Sequence, residues 1–372
     1  MAIKKESSDN FYQKMRCLAA RRGFPLKAMF EVTYRCNFKC VHCYTARDNE
    51  KKELSTEEVK TVLDELRANG CFHVGFTGGE PLIRKDIFDI LDYAKSGGFR
   101  ISLLTNGSLI DKKTAGRIAS LGTSLNRVDI SILGAVKETF ENITGKKDSF
   151  AKVMRSIKLL KDAGADVQIK ATLMKPNQGE FLKIRELAEK FKTMFRYSAV
   201  INPRINGDKT PLQYQVDPKD VYKINTSLSS PAGVINERPG AEWNAENIGR
   251  KNLFKCGAGR SEVTISPYGE MRLCLEMPYP RYDILRENFR EGWKRLRGFV
   301  ADFELPRDYI CGKCVLASFC QWCPARGFLV SGSLTGCSKQ DRDAALVEAR
   351  HSPLWSKIEP IWNLQKERLN SQ

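Results

Sequence analysis

Residues 28–44 read Ala28-Met29-Phe30-Glu31-Val32-Thr33-Tyr34-Arg35-Cys36-Asn37-Phe38-Lys39-Cys40-Val41-His42-Cys43-Tyr44. Ala28–Tyr34 is a short apolar and β-branched run, which reads as a strand. A C-x3-C-x2-C loop follows it directly. Cysteine-ligated iron–sulfur cubes take four thiolates, so three leave one iron open. An open iron is a place for chemistry, and the loop points to an enzyme.

Working outward, strand and helix signals alternate from about Phe30 to Ile201. A helix starts at Ser55, with Glu58 placed for a capping box, and stops at Asn69-Gly70. The pattern then predicts strand Phe72–Thr77, helix Ile87–Lys95, strand Arg100–Thr105 and helix Lys112–Leu121. It continues with strand Val128–Leu133, helix Phe150–Ala163, strand Val167–Leu173, helix Glu180–Phe191 and strand Arg196–Ile201. Repeated βα units imply parallel strands with helices outside. Six units are too few for a closed eight-stranded barrel, so the expected class is α/β, a partial TIM-like (β/α)6 barrel. Chemistry in barrels sits at the C-terminal ends of strands. The cysteine loop, Gly78-Gly79-Glu80-Pro81, Asn106-Gly107 and Gly134 all fall there.

Asn202 to Lys255 changes character, with Pro203, Asn206-Gly207-Asp208, Pro211, Pro218, Pro231 and Pro239-Gly240. One short helix is expected near Asp220–Leu228, and the rest reads as loops over the barrel mouth. From Cys256 onward the chain carries Cys256, Cys274, Cys311, Cys314, Cys320, Cys323 and Cys337. Short strands are expected at Glu262–Ser266 and Met271–Cys274, and a closing helix after Gln340. The resulting division is 1–23 N-terminal extension, 24–202 barrel, 203–255 bridge, 256–345 small cysteine-rich α+β domain and 346–372 C-terminal helix. Cys17 and Cys71 lie outside both cysteine groups and are expected to be buried and inert.

No apolar run approaches the roughly 18 residues of a membrane span, and Met1 to Asn10 is polar, with no secretory signal. Clustered cysteines in such a chain read as reduced, metal-binding and cytoplasmic, not as disulfides. A zinc site suits three cysteines poorly, with only His42 nearby as a fourth N/S ligand. The formal net charge is +17, which bound thiolates would partly offset. The bases are spread (Lys51-Lys52, Lys112-Lys113, Lys146-Lys147, Arg295-Leu296-Arg297) and form no dense patch with aromatics. That argues against nucleic acid as partner.

The cysteine loop after a first strand, followed by Gly78-Gly79-Glu80-Pro81, resembles the radical S-adenosylmethionine (SAM) superfamily over roughly residues 24 to 201. The resemblance implies a cluster on Cys36, Cys40 and Cys43 whose open iron chelates SAM. It also implies SAM contacts from Gly78, Gly79, Glu80, Asn106 and Ser131, and cleavage of SAM to a 5′-deoxyadenosyl radical. Cys256, Gly269 and Cys274, then Cys311, Cys314, Cys320, Cys323 and Cys337, resemble the SPASM extension of this superfamily. Where that extension has C-x3-C, Cys320 and Cys323 have two residues between them. The likeness implies two auxiliary clusters, so three [4Fe-4S] clusters in all. One would use Cys311, Cys314, Cys320 and Cys337; the other Cys256, Cys274 and Cys323, one ligand short. Substrate at an open iron, or an oxygen ligand such as Glu262 or Glu276, would complete it.

The function expected from these resemblances is maturation of a ribosomally made precursor peptide, foremost by thioether crosslinks. The partners expected are that peptide, a reductant such as flavodoxin or ferredoxin, and a separate peptide-recognition protein. Other readings are a tetrapyrrole-modifying enzyme, another C–C-forming or epimerising peptide maturase, and a non-catalytic cluster scaffold. A formylglycine-forming sulfatase maturase would have aspartate after the cysteine matching Cys274, where Leu275 stands. Candidate general bases are Glu276 and Asp208, with Glu80 and Asp129 also near the expected mouth.

Overall fold

The computed structural model describes residues 8–46, 51–228, 234–235 and 253–370. Its centre is a run of six parallel strands: β1 Lys27–Thr33, β2 His73–Gly78, β3 Arg100–Thr105, β4 Leu125–Ser131, β5 Val167–Thr172 and β6 Met194–Ser198. Alternate residues turn outward (Phe30, Phe76, Ile101, Leu103, Val128, Ile130, Ile169), all with no exposed surface. They share one core with residues of the surrounding helices such as Leu63, Ile90, Leu91, Ile118 and Ile157. This period of two, apolar toward the helices and polar toward the interior, shapes the cavity described below.

An N-terminal helix, α1 Ser8–Arg22, precedes β1. Between strands run α2 Thr56–Ala68, α3 Ile87–Ser96, α4 Lys112–Ala119, α5 Lys137–Thr144, α6 Phe150–Asp162 and α7 Phe181–Lys190. The capping box at Ser55 and Glu58 is formed as expected. Helix α5 was not anticipated, and it matters: the cysteine loop is tied to it. Lys39 N donates to Thr144 O at 2.8 Å and Val41 N to Ile143 O at 3.0 Å. Phe38 meets Phe140 edge to face, with centroids 6.3 Å apart.

The bridge contains α8 Pro218–Leu228 and a short β7, Val234–Ile235, beside β6. Pro231 and Pro239-Gly240 lie outside the described residues. The C-terminal part differs from a free-standing unit. Its strands β8 Glu262–Ile265, β9 Glu270–Arg272 and β10 Arg281–Asp283 extend the barrel sheet, with β8 parallel to β1. The sheet order is β10-β9-β8-β1-β2-β3-β4-β5-β6-β7. Beyond it come α9 Phe289–Ala301, α10 Pro324–Ser331, α11 Lys339–Arg350 and α12 Trp355–Asn370. Two helices, not one, therefore follow Gln340's neighbourhood, parted near Ser352-Pro353. No described helix is long and apolar enough to cross a membrane.

Candidate active site

One cavity of about 1150 Å³ opens at the C-terminal ends of the strands. Cys36, Cys40, Cys43, Gly78, Gly79, Asn106 and Ser131 all line it. The loop geometry explains the glycine pair. Gly78 has φ +132°, and a Cβ there would lie 2.1 Å from Thr33 O. A Cβ on Gly79 would lie 2.3 Å from Arg35 O and 2.7 Å from Tyr34 O. The glycines thus let the end of β2 press against the backbone entering the cysteine loop.

Glu80 is fully buried and does not line the cavity. Its carboxylate accepts from Thr105 Oγ1 at 2.7 Å, Asn106 N at 2.7 Å and Leu82 N at 3.1 Å. Burial lifts its pKa to about 6 despite these donors. It joins the ends of β2 and β3 and fixes Asn106. Asn106 Nδ2 in turn donates to Asn37 Oδ1 at 2.9 Å and approaches Cys36 Sγ at 3.9 Å. Burial holds His42 neutral, with a pKa near 4, and its Nδ1 is buried without a hydrogen-bond partner.

Beneath this rim Glu31 is completely buried. It accepts from Tyr34 and Tyr44, each at 2.9 Å, and pairs with Arg272 of β9. The network connects the first strand, the cysteine loop and the C-terminal hairpin. Cys71 is buried, as expected, and its thiol is pushed up to about 12. Cys17 is instead exposed, because it lies on α1.

The C-terminal thiols form two neighbourhoods. Cys274 feels the charges of Glu276, Cys323 and Cys256. Cys337 feels Cys311, Cys314 and Asp341, and Cys320 Sγ reaches Asp341 O at 3.9 Å. Cys323 is the N-cap of α10, accepting from Arg326 N at 3.5 Å, with Pro324 at the first helical position. Burial still holds the Cys323 and Cys337 thiols up at about 11. Bound cations would reverse that preference.

Glu276 stands beside Cys274 and Cys323, its carboxyl raised by burial and opposed by Arg326. Glu262 pairs with Arg16 at 3.2 Å. Asp208 is not among the residues lining the cavity; it accepts from Thr210 N and Oγ1 at 2.9 Å each and pairs with Arg204, which does line it, at 3.6 Å. Among the described residues no three His, Cys, Asp or Glu side chains already stand in a metal-ligating arrangement. The fit to iron therefore rests on donor chemistry and spacing and, for Cys36, Cys40 and Cys43 alone, on the shared cavity.

Residues 30–188 match the radical SAM superfamily model. The AdoMet-dependent heme synthase of Oleidesulfovibrio alaskensis is 30% identical over 329 residues, covering 82% of this chain and 84% of the relative. The chain belongs to the radical SAM superfamily. This radical SAM enzyme is also 28% identical to AlbA of Bacillus subtilis, the antilisterial bacteriocin subtilosin biosynthesis protein, over 91% of this chain and 72% of AlbA. Its fold resembles Streptococcus suis SuiB, solved bound to S-adenosylmethionine (TM-score 0.68, 17% identity, 91% of this chain and 84% of SuiB) and bound to precursor peptide SuiA (TM-score 0.67).

Sequence reasoning placed the cysteine and glycine segments on one rim, where the structure has them. It missed Lys27, Arg127, Lys170 and Arg196, which also line the cavity. Their signal was available as polar residues at period two within otherwise apolar strands.

Proposed function

We propose that this enzyme modifies a ribosomally made precursor peptide, joining a cysteine sulfur to a carbon of another residue. The observation that carries the reading is the neighbourhood of Cys256, Cys274 and Cys323, three thiols where a four-iron cube needs four ligands. A substrate thiolate suits the fourth position. The names of AlbA and of SuiB with SuiA support a peptide substrate.

Cys36, Cys40 and Cys43 would hold the first cluster, with SAM against Gly78, Gly79, Asn106 and Ser131. Bound there, cluster and SAM supply a 5′-deoxyadenosyl radical that removes a substrate hydrogen atom. Cys311, Cys314, Cys320 and Cys337 would hold a second cluster, and Cys256, Cys274 and Cys323 a third. Glu80 acts by positioning Asn106. Glu276, whose charge acts on Cys274 and Cys323, would take the thiol proton. The net change strips two hydrogens from the peptide. One leaves in 5′-deoxyadenosine; the other leaves as a proton and an electron, the electron returning to the iron–sulfur centres. Flavodoxin or ferredoxin would be the reductant, a separate protein would present the peptide, and the cytoplasm is the setting.

The test is anaerobic turnover with cysteine-containing peptides encoded beside this gene. The expected product is lighter by two hydrogens and resists thiol alkylation. Cys256→Ala should abolish that product while SAM cleavage persists. A product that keeps a free thiol would overturn the thioether assignment. The heme synthase relative supports a second reading, a carboxylated tetrapyrrole substrate. Conversion of a porphyrin in place of any peptide would establish that alternative.

A further inference from the structure

The charged side chains that the strands turn into the cavity are Lys27, Arg127, Asp129, Lys170 and Arg196. Four are cations and one is an anion. Asp129 is buried, with Arg127 Nε at 2.8 Å from one oxygen and Lys170 Nζ at 2.9 Å from the other. Its single charge is thus shared by two cations, so Arg127 and Lys170 together keep one positive charge in excess, while Glu262 of β8 stands in register with Lys27. Arg127 and Lys170 nevertheless keep 29% and 32% of their side-chain surface open, so a ligand in the cavity can reach them.

We propose that this cation cluster binds a carboxylate of the substrate and so selects acidic substrates. The inference rests on the peptide reading above and supplies its missing specificity element: an Asp or Glu side chain, or a C-terminal carboxylate, of the peptide. The cations repel one another across the cavity. Burial and the charges of Lys170, Arg127 and Arg196 all push the Lys27 ammonium toward its neutral form, opposed by Glu262. An entering anion relieves that repulsion, and an arginine fork matches the two oxygens of a carboxylate. The neutral His73 adds a polar wall, held by Ser102 Oγ at 2.9 Å. Lys27 opens the strand whose other end leads to Cys36, about 20 Å away at the rise of a strand. The anchor therefore engages a part of the substrate about six extended residues from the cluster end of the cavity.

Glutarate and its neutral counterpart glutaramide are the direct probes, titrated calorimetrically into the reconstituted holoenzyme. Glutarate should bind and glutaramide should not. Arg196→Gln and Lys27→Met should each weaken glutarate about tenfold, the scale of one charge-assisted contact. Iron content and circular dichroism confirm that each variant is folded. Equal binding of the two probes, or variants that bind glutarate as the wild type does, would overturn the proposal.

Competition then distinguishes the source of the carboxylate. A cysteine peptide with Asp at the stated spacing should displace glutarate, and its Asn version should not. Displacement by coproporphyrin III with neither peptide effective would keep the carboxylate site and overturn the peptide reading.

Discussion

Glu80 is a carboxylate without solvent, and its raised pKa has a consequence for stability. The folded state keeps a proton that the unfolded chain has already released between the ordinary carboxylate range and about pH 6. Stability from this group is therefore greatest below that range and falls as pH rises through about 6, by about 2 kcal/mol. Urea unfolding of the metal-free chain should show this slope, and Glu80→Gln should flatten it. At Gly79 the expectation is different from a simple clash with SAM. A Cβ would strike the carbonyls of Tyr34 and Arg35, so Gly79→Val should displace the cysteine loop and reduce iron at the first cluster. Full iron loading with only SAM binding lost would contradict that. The family resemblance implied that Gly79 contacts SAM, but its neighbour in the fold is backbone packed against it, which no local pattern reveals. The interior cations escaped notice for a related reason: they sit on separate strands far apart in sequence, and only closure of the sheet brings them together.

Among elements, the joint between β1 and the C-terminal hairpin is held by a buried ion pair with tyrosine donors. Arg272→Met should leave Glu31 charged or protonated without its main partner, at a cost of about 3–5 kcal/mol in denaturant unfolding. The double variant Glu31→Gln with Arg272→Met should recover part of that loss. Equal destabilisation of single and double variants would show that the pair is not coupled. The helices with clear stop signals, such as α2 with its capping box and α3 ending at Gly97, were legible in the sequence. Helix α5, Lys137–Thr144, was not. The pairing of β8 with β1 was also hidden. Strand propensity indicates that a segment is extended, and says nothing of which distant edge it joins.

For the molecule as a whole, anaerobic reconstitution should give about twelve irons per chain if three cubes form. Alanine at Cys36, Cys40 and Cys43 should leave about eight and abolish SAM cleavage; only four irons in the wild type would remove the C-terminal clusters from the proposal. The cysteine spacings made the enzyme class readable, because metal ligands are few, chemically distinctive and closely spaced. The proposed carboxylate site was not readable, because its side chains come from four separate strands sharing one interior. The same nonlocal sheet sets a timetable for synthesis. Strand β1 leaves the ribosome long before β8, its neighbour from Glu262 onward, exists. At elongation rates of about 5–20 residues per second the edge of β1 waits roughly 10 to 50 s for that partner. During that interval the growing chain presents an unfilled strand edge beside the segment that must later capture iron, an invitation to misplaced pairing. Chaperone shielding and the timing of cluster delivery thereby become part of how this enzyme is made.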